Sequence, residues 1–329
     1  MRKQGCQGGR PLRTGRTGRA PGTGEQEVGN AMPRRYVTLD VFTTRPFGGN
    51  PLAVVLDAQG LDDAAMQQIT REFNLSETVF VLPPRDPANR ARVRIFTPAH
   101  ELPFAGHPTV GAAVLLALED KVQKANFLIE EQVGPVRCEV TVDVRAGNKG
   151  YATFIVPRRA ELQPFERTRQ ECADALNLDV SDIGFDAHRP VVANAGVPFL
   201  FIPLANLTAL ARATPDGAAF IRSLGSYGES LYIYTPDDEG DADFRARMFS
   251  PGLGIQEDPA TGAAAAAFPA VLLDAEARVD GHHKIRIDQG VELGRPSHID
   301  LGIRIAGGEL AETTIGGAAV VVAEGVLHV

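Results

Sequence analysis

The sequence predicts a mixed α/β (α+β) fold of two pseudo-symmetric domains, each a barrel-like, mostly antiparallel sheet around one central helix. Three observations predict it. The first is a pattern that occurs twice. E-T-V-F-V-L-P-P from Glu77, F-T-P from Phe96 and H-P-T-V-G-A-A from His107 are echoed by E-S-L-Y-I-Y-T-P from Glu229, F-S-P from Phe249 and D-P-A-T-G-A-A from Asp258. Phe96 follows Glu77 by 19 residues and Phe249 follows Glu229 by 20, while the last motif begins 11 and 9 residues after its Phe. A repeat this long is a domain rather than a solenoid unit. The second observation is length, since 329 residues suffice for two separate cores. The third is that each copy ends in an apolar helix bracketed by alternating strands. The alanines after Gly262 give that helix high propensity and a slim profile, suited to burial inside a curved sheet.

Each element follows from local pattern. Alternation and β-branching make Y-V-T-L-D-V-F from Tyr36 a strand, and the turn P-F-G-G-N-P (46–51) leads to a second strand from Leu52. Ala65, Met66, Ile69 and Phe73 share one face of a helix over 62–73, which places Glu77 where that helix has ended and the strand T-V-F-V-L begins. A strand from Ala91 enters the loop P-A-H-E-L-P-F-A-G-H-P, and a helix follows from about Pro108 to Leu118. Proline suits a first helical turn, where its missing N–H would be unpaired anyway. Strands at 127–131, 137–142 and 151–156 complete the first half, and P-R-R-A-E-L-Q-P from Pro157 marks a boundary. In the second half, helices fit 168–176 and 207–212, and strands fit P-V-V-A-N, P-F-L-F-I-P, L-Y-I-Y and F-R-A-R-M-F. A helix then runs from behind Asp258-Pro259 to about Pro269. The division is a disordered tail over 1–33, a first domain over 34–160 and a second over 161–329, whose last strand can return to the first.

Composition narrows the function. The net charge of −8 is uneven: residues 1–31 carry six Lys/Arg against Glu25 and Glu27, leaving the rest strongly acidic. An acidic body argues against nucleic acid and anionic membrane as partners. No apolar run approaches a spanning helix, and the Gly- and Arg-rich beginning has no secretory core. Three cysteines (Cys6, Cys138, Cys172) at non-metal spacing suit a reducing cytoplasm. His282-His283 lacks a third ligand, G-L-G from Gly252 is not a dinucleotide fingerprint, and no P-loop or G-x-S-x-G occurs, so no metal or other cofactor is expected.

Three ionisable residues fall at element junctions in Gly/Pro-rich loops: Glu77, His107 and Asp258. Two of them, one per repeat, stand just before a helix. Helix N-termini favour anions, so two such ends facing one another would hold a carboxylate without Arg or metal. A partly desolvated Glu beside them would have a raised pKa suited to proton transfer. Each residue also has a plainer reading: Asp258 as an N-cap, His107 as a cap or core histidine, Glu77 as a solvated strand start.

These motifs resemble the phenazine-biosynthesis isomerase (PhzF-like) family, over nearly the whole chain from Tyr36. The resemblance rests on D-V-F-T-x-x-P-F-G-G-N-P-L-A-V-V from Asp40, N-L-S-E-T from Asn74, F-A-G-H-P-T-V-G from Phe104, E-D-P-A-T-G from Glu257 and Q-G-x-E-x-G-R-P-S from Gln289. It implies a diaminopimelate-epimerase-like fold with the active site between the domains, and a cofactor-free, homodimeric isomerase. It further implies Glu77 as general acid/base, His107 and Asp258 as its catalytic supports, and a substrate carboxylate received around Ser76, Gly106, Gly262 and Ala263. The related epimerases place paired cysteines where this chain has His107 and Asp258, so a two-thiol mechanism is not expected. The family pattern commonly has Ser where Ala263 stands, which removes one hydroxyl donor from the substrate site. The expectation is a proton-moving isomerase acting on a small, cyclic, carboxylate-bearing metabolite. A non-catalytic binding or interaction protein keeping the same cleft, and an amino-acid epimerase, are the alternatives.

Overall fold

A computed structural model describes residues 33–329 except 216, 226, 228, 229 and 252–254. The expected tail over 1–33 therefore lies outside the described residues but for its last position, as does Glu229 of the second repeat. Mixed α/β architecture with two sheet-wrapped helices is what the chain forms.

The first half opens with antiparallel β1 (Pro33–Val41) and β2 (Asn50–Val55). Helix α1 (Asp63–Phe73) then crosses over to β3 (Glu77–Leu82), parallel to β2. Asp62 caps α1 by accepting from Ala65 N, and Asn74 ends it in the left-handed region at φ 51°. Antiparallel β4 (Ala91–Phe96) and the two-residue β5 (Glu101–Leu102) lead into α2 (Gly106–Glu119). Then follow β6 (Lys124–Glu131), parallel to β4, and the antiparallel β7 (Gly134–Val142) and β8 (Lys149–Ile155).

The second half repeats this order. It begins with β9 (Glu161–Gln163), α3 (Arg169–Leu176), β10 (Val191–Asn194) and β11 (Pro198–Pro203). A Thr168/Glu171 capping box starts α3. Helices α4 (Leu207–Arg212) and α5 (Gly217–Leu224) cross over to β12 (Leu231–Pro236), parallel to β11. Then come β13 (Phe244–Ser250), β14 (Ile255–Asp258) and α6 (Gly262–Ala275). The long strands β15 (Gly281–Gln289), β16 (Ser297–Ala306) and β17 (Glu309–His328) close the chain, β15 lying parallel to β13.

The seventeen strands of the described residues form one continuous sheet. Around α2 the sheet closes into a barrel in the order β1-β2-β3-β4-β6-β7-β8-β17, with β17 returning to β1. Around α6 it wraps as β9-β10-β11-β12-β13-β15-β16-β17. The halves trade ends. Residues 309–316 of β17 pair with β16, while 319–328 pair with β1. The chain leaving β8 in turn becomes β9, which pairs with β10 of the second half.

Both central helices are buried nearly all round. In α2 every residue from Gly106 to Ala117 is buried, and in α6 the same holds from Ala264 to Leu272. Outer layers cover the remaining faces. Met66 and Ile69 of α1 pack on Phe80, Leu82 and Phe96, and Cys172, Leu176, Leu210 and Phe220 pack on Leu200, Ile202, Leu231 and Ile233.

Both central helices differ in their bounds from the sequence expectation. Helix α2 begins at Gly106, two residues before Pro108. Helix α6 runs six residues past Pro269, although the ring removes the bond to the carbonyl four residues back. Burial inside the sheet on all sides outweighs that missing bond.

Candidate active site

The two central helices meet end to end. A Cβ placed on Gly106 would stand 3.0 Å from Gly262 Cα, and one on Gly262 would stand 3.1 Å from Gly106 Cα. A side chain at either position would push the helix ends apart, and the reciprocity marks the pseudo-two-fold axis of the molecule. Neither helix has a side-chain cap: Ala105 has no suitable group, and Thr261 turns its hydroxyl elsewhere. The first N–H groups of a helix have no intrahelical acceptor. Two uncapped N-termini thus converge, and their partial positive charge favours an anion.

Glu77 begins β3, and His107 is the second residue of α2. His107 Nδ1 lies 3.2 Å from Glu77 Oε2, off the line of a hydrogen bond. Burial pushes the Glu77 carboxyl up to about 8, and the nearby Asp258 charge adds to this. Burial lowers His107 to about 3, opposed by a backbone hydrogen bond with Pro51. Near pH 7 the contact therefore joins a neutral imidazole to a carboxylic acid, not two charges. Glu77 Oε2, His107 Nε2 and Asn50 Oδ1 are all buried without a hydrogen-bond partner among the described residues. Buried polar atoms of this kind call for an explanation, and a bound ligand supplies one.

Asp258 ends β14, facing Glu77 from the second half. Its Oδ1 accepts from Asn50 Nδ2 (2.9 Å) and Ser76 Oγ (3.4 Å), and its Oδ2 accepts from Thr261 Oγ1 (2.6 Å). Burial raises its pKa to about 6 despite these bonds. Asn50 and Ser76 belong to the first half, so Asp258 ties the halves together across the cleft.

The sequence places His107 and Asp258 equivalently, each just before a helix, and the structure corrects this. His107 lies inside the first turn of α2, whereas Asp258 stands four residues ahead of α6. Asp258 is not an N-cap; that position is Thr261. With Gly106 matching Gly262, the counterpart of His107 is Ala263, which is half-buried at the cleft. The match of Glu77 with Glu229 slips as well. Thr78 pairs with Phe96 and Leu231 with Phe249, so the residue in register with Glu77 is Ser230. Its hydroxyl lies 3.4 Å from that of Ser250.

Sequence reasoning assigns no chemistry to Asn50, Thr261 or Gln289. All three sit in the quoted motifs, and nothing but the fold brings them together. Gln289 Nε2 donates to Asp258 O (2.8 Å) and Thr261 Oγ1 (3.0 Å), while its Oε1 accepts from Thr261 N (3.1 Å). Tyr232 is in register with Met248, and Met248 with Asp258, so the three face the same side of the sheet; the Tyr232 hydroxyl is buried and has no partner among the described residues. Among the described residues no group of His, Cys, Asp and Glu is arranged to hold a metal ion, and no helix is long and apolar enough to cross a membrane.

Two sheet-wrapped helices that abut at their N-termini over a protonatable carboxyl define a class, the isomerases built from two such halves. The chain belongs to the phenazine biosynthesis-like protein family, whose model matches residues 39–325. It is 46% identical over 302 residues to an uncharacterized isomerase of Mesorhizobium japonicum, covering 90% of this chain and 99% of the relative. It is 35% identical over 291 residues to the trans-2,3-dihydro-3-hydroxyanthranilate isomerase of Pseudomonas aeruginosa, covering 88% and 98%. The crystal structure of a PhzF-family phenazine biosynthesis protein of Bacillus anthracis superposes with a TM-score of 0.80 at 26% identity, covering 91% of this chain and all of that one. The chain is accordingly an isomerase.

Proposed function

We propose that this isomerase moves a proton on a small, cyclic, carboxylate-bearing metabolite without a cofactor, and that Glu77 is the group that carries the proton. The observation that bears most weight is Glu77 itself. Its side chain, 17% exposed, lies beside two uncapped helix N-termini, with one buried oxygen unpartnered among the described residues and a pKa raised to about 8. A group that must both take and give a proton works best with a pKa near the working pH. The substrate carboxylate would sit at the N–H groups around Gly106 and Gly262, with Ser76 and Ala263 at its edge. His107, held neutral, would orient Glu77. Asp258 would orient the substrate, and its charge would add to burial in holding the Glu77 pKa near the working pH. A relative named for trans-2,3-dihydro-3-hydroxyanthranilate, a ring carboxylate, agrees with this class of substrate.

That compound and a panel of cyclic carboxylates, screened for thermal stabilisation and turnover, form the test. Glu77→Gln keeps shape but cannot accept a proton, so it should bind a turned-over ligand while losing at least ~10²-fold in kcat. Wild-type turnover by that variant would refute the role. With Glu77 taking the substrate proton first, kcat/KM should rise about tenfold per pH unit below about 8 and level off above it. A methyl ester should bind far more weakly than the acid, because it removes the charge that the helix ends select.

A further inference from the structure

The motif Q-G-V-E-L-G-R-P-S, residues 289–297, contributes no side chain to the proton transfer proposed above, yet it touches both loops that make the cleft. At its first residue, Gln289 is fully buried and uses every polar atom on the D-P-A-T segment. The hydrogens can be assigned. Thr261 Oγ1 gives its one hydrogen to Asp258 Oδ2, so it receives one from Gln289, whose other amide hydrogen goes to the Asp258 carbonyl. Gln289 thereby fixes both the backbone of Asp258 and the hydroxyl that holds its carboxylate.

At the far end, Arg295 reaches into the first half. Its Nε donates to Gly49 O (2.8 Å), and its terminal nitrogen donates to Gly48 O (2.8 Å) and pairs with Asp40 Oδ1 (2.6 Å). Asp40 Oδ2 accepts from Phe47 N (2.6 Å), and Phe47 is held at φ 70°, a left-handed conformation unusual for a bulky residue. Gly49 N in turn donates to Pro296 O (3.1 Å). The P-F-G-G-N-P turn is thus grasped from both sides, immediately ahead of Asn50. Between the two grips the segment folds on itself through Arg295 N to Gly290 O (2.9 Å). Gly290 has φ 72° and sits where a Cβ would strike the carbonyls of Arg295 and Pro259, so the brace and the D-P-A-T segment pack backbone to backbone.

We propose that residues 289–297 are a brace that positions Asp258 and Asn50 against each other across the cleft, Gln289 holding one loop and Arg295 the other. Gln289 and Arg295 are positioning residues, and their relevance to turnover rests on the function proposed above. The bond they serve, Asn50 Nδ2 to Asp258 Oδ1 at 2.9 Å, joins the halves beside Glu77.

The test reads the Asp258 carboxyl directly. The full chain is labelled with γ-13C aspartate, and the Asp258 signal is assigned by its loss in Asp258→Asn. In the wild type this signal should titrate near pH 6. Gln289→Met and Arg295→Gln, at opposite ends of the brace, should each raise that midpoint, by about 0.5–1 unit if one neutral hydrogen bond to the carboxylate is weakened. A folded variant of either kind with an unmoved midpoint would overturn the proposal. Should a variant not fold, the wild-type chain still decides: the Gln289 side-chain amide signals must shift as Asp258 titrates, and their staying fixed refutes the link. Failure of the catalytic reading looks different. Asp258→Asn with full turnover would sink Asp258's role in catalysis while leaving the brace intact.

Discussion

Burial sets the protonation of three inward-facing carboxyls. Glu77 and Glu131 are each pushed up to about 8 and Asp258 to about 6. Glu131 shows the consequence in its hydrogen bonds. Thr109 Oγ1 lies 2.7 Å from both Ala105 O and Glu131 Oε1, but a hydroxyl has one hydrogen. If it serves the carbonyl, Glu131 must supply the other, which agrees with a carboxyl that stays protonated at neutral pH. The folded state holds these protons more tightly than the unfolded chain, so stability falls as pH rises from about 4.5 to about 8. His107, lowered to about 3, acts the other way, adding stability as pH rises from about 3 to about 6.5. Glu131→Gln keeps a donor for Thr109 without the titration. It should flatten the fall in melting temperature between about pH 5 and about pH 8, and an unchanged slope would show that Glu131 is ionised in the fold. At the cleft, Ala263→Ser restores a hydroxyl opposite His107. For a ring carboxylate that the enzyme turns over, KM should fall by roughly 2- to 10-fold, the worth of one neutral hydrogen bond; no change would place the residue outside the substrate site.

Elements are legible in the sequence where local chemistry decides them. Asp62 and Asn74 bracket α1, the Thr168/Glu171 pair starts α3, and alternation reveals β4 and β7. The central helices read as apolar and buried, yet the sequence misplaces their starts, because a start is recognised by its cap and neither helix has one. The uncapped ends that hide the boundary are also what gives the cleft its attraction for anions. The slip between Glu229 and Ser230 has a similar cause. The two copies differ by one residue in the Glu-to-Phe interval, and in a strand one residue reverses the face. Asp258 stands out as a motif, but its partners Asn50 and Gln289 lie 208 and 31 residues away, beyond any local pattern. The helix ends make their own prediction. Gly106→Ala places a methyl 3.0 Å from Gly262 Cα, tighter than nearly all real Cβ contacts, so the two N-termini must part by a few tenths of an ångström. Activity should drop by more than tenfold, the loss expected when positioning slips by a fraction of an ångström. Gly262→Ala should do the same, and combining both should cost little more, since one separation serves both. Additive losses would show that the glycines act independently.

At the scale of the whole molecule, the traded strands decide what can be separated. The first barrel closes only through β17, whose residues 314–320 pair with β8 and 319–328 with β1, and β9 extends the sheet of the second half. Cutting at the sequence boundary near 157–164 would therefore leave a first half with β1 unpaired along one edge. Deleting residues 319–329 should cost the first half its cooperative transition, and isolated residues 34–160 should fail to fold. A truncated chain melting in a single transition at the full-length temperature would show that the β1–β17 ladder is dispensable. A chain shortened to begin at Met32 should match the full chain in melting temperature, since residues 1–31 lack an apolar pattern to bury.

The return of β17 to β1 also sets an order in time. Pro33 pairs with His328, so β1, which meets β2 early, waits longest for its second partner. Until β17 emerges, the outer edge of β1 stays open to other chains and the first barrel cannot be completed. A pairing so distant in sequence is slow to form. Newly made molecules should therefore pass through a stage in which the second half is more complete than the first, although it was made later.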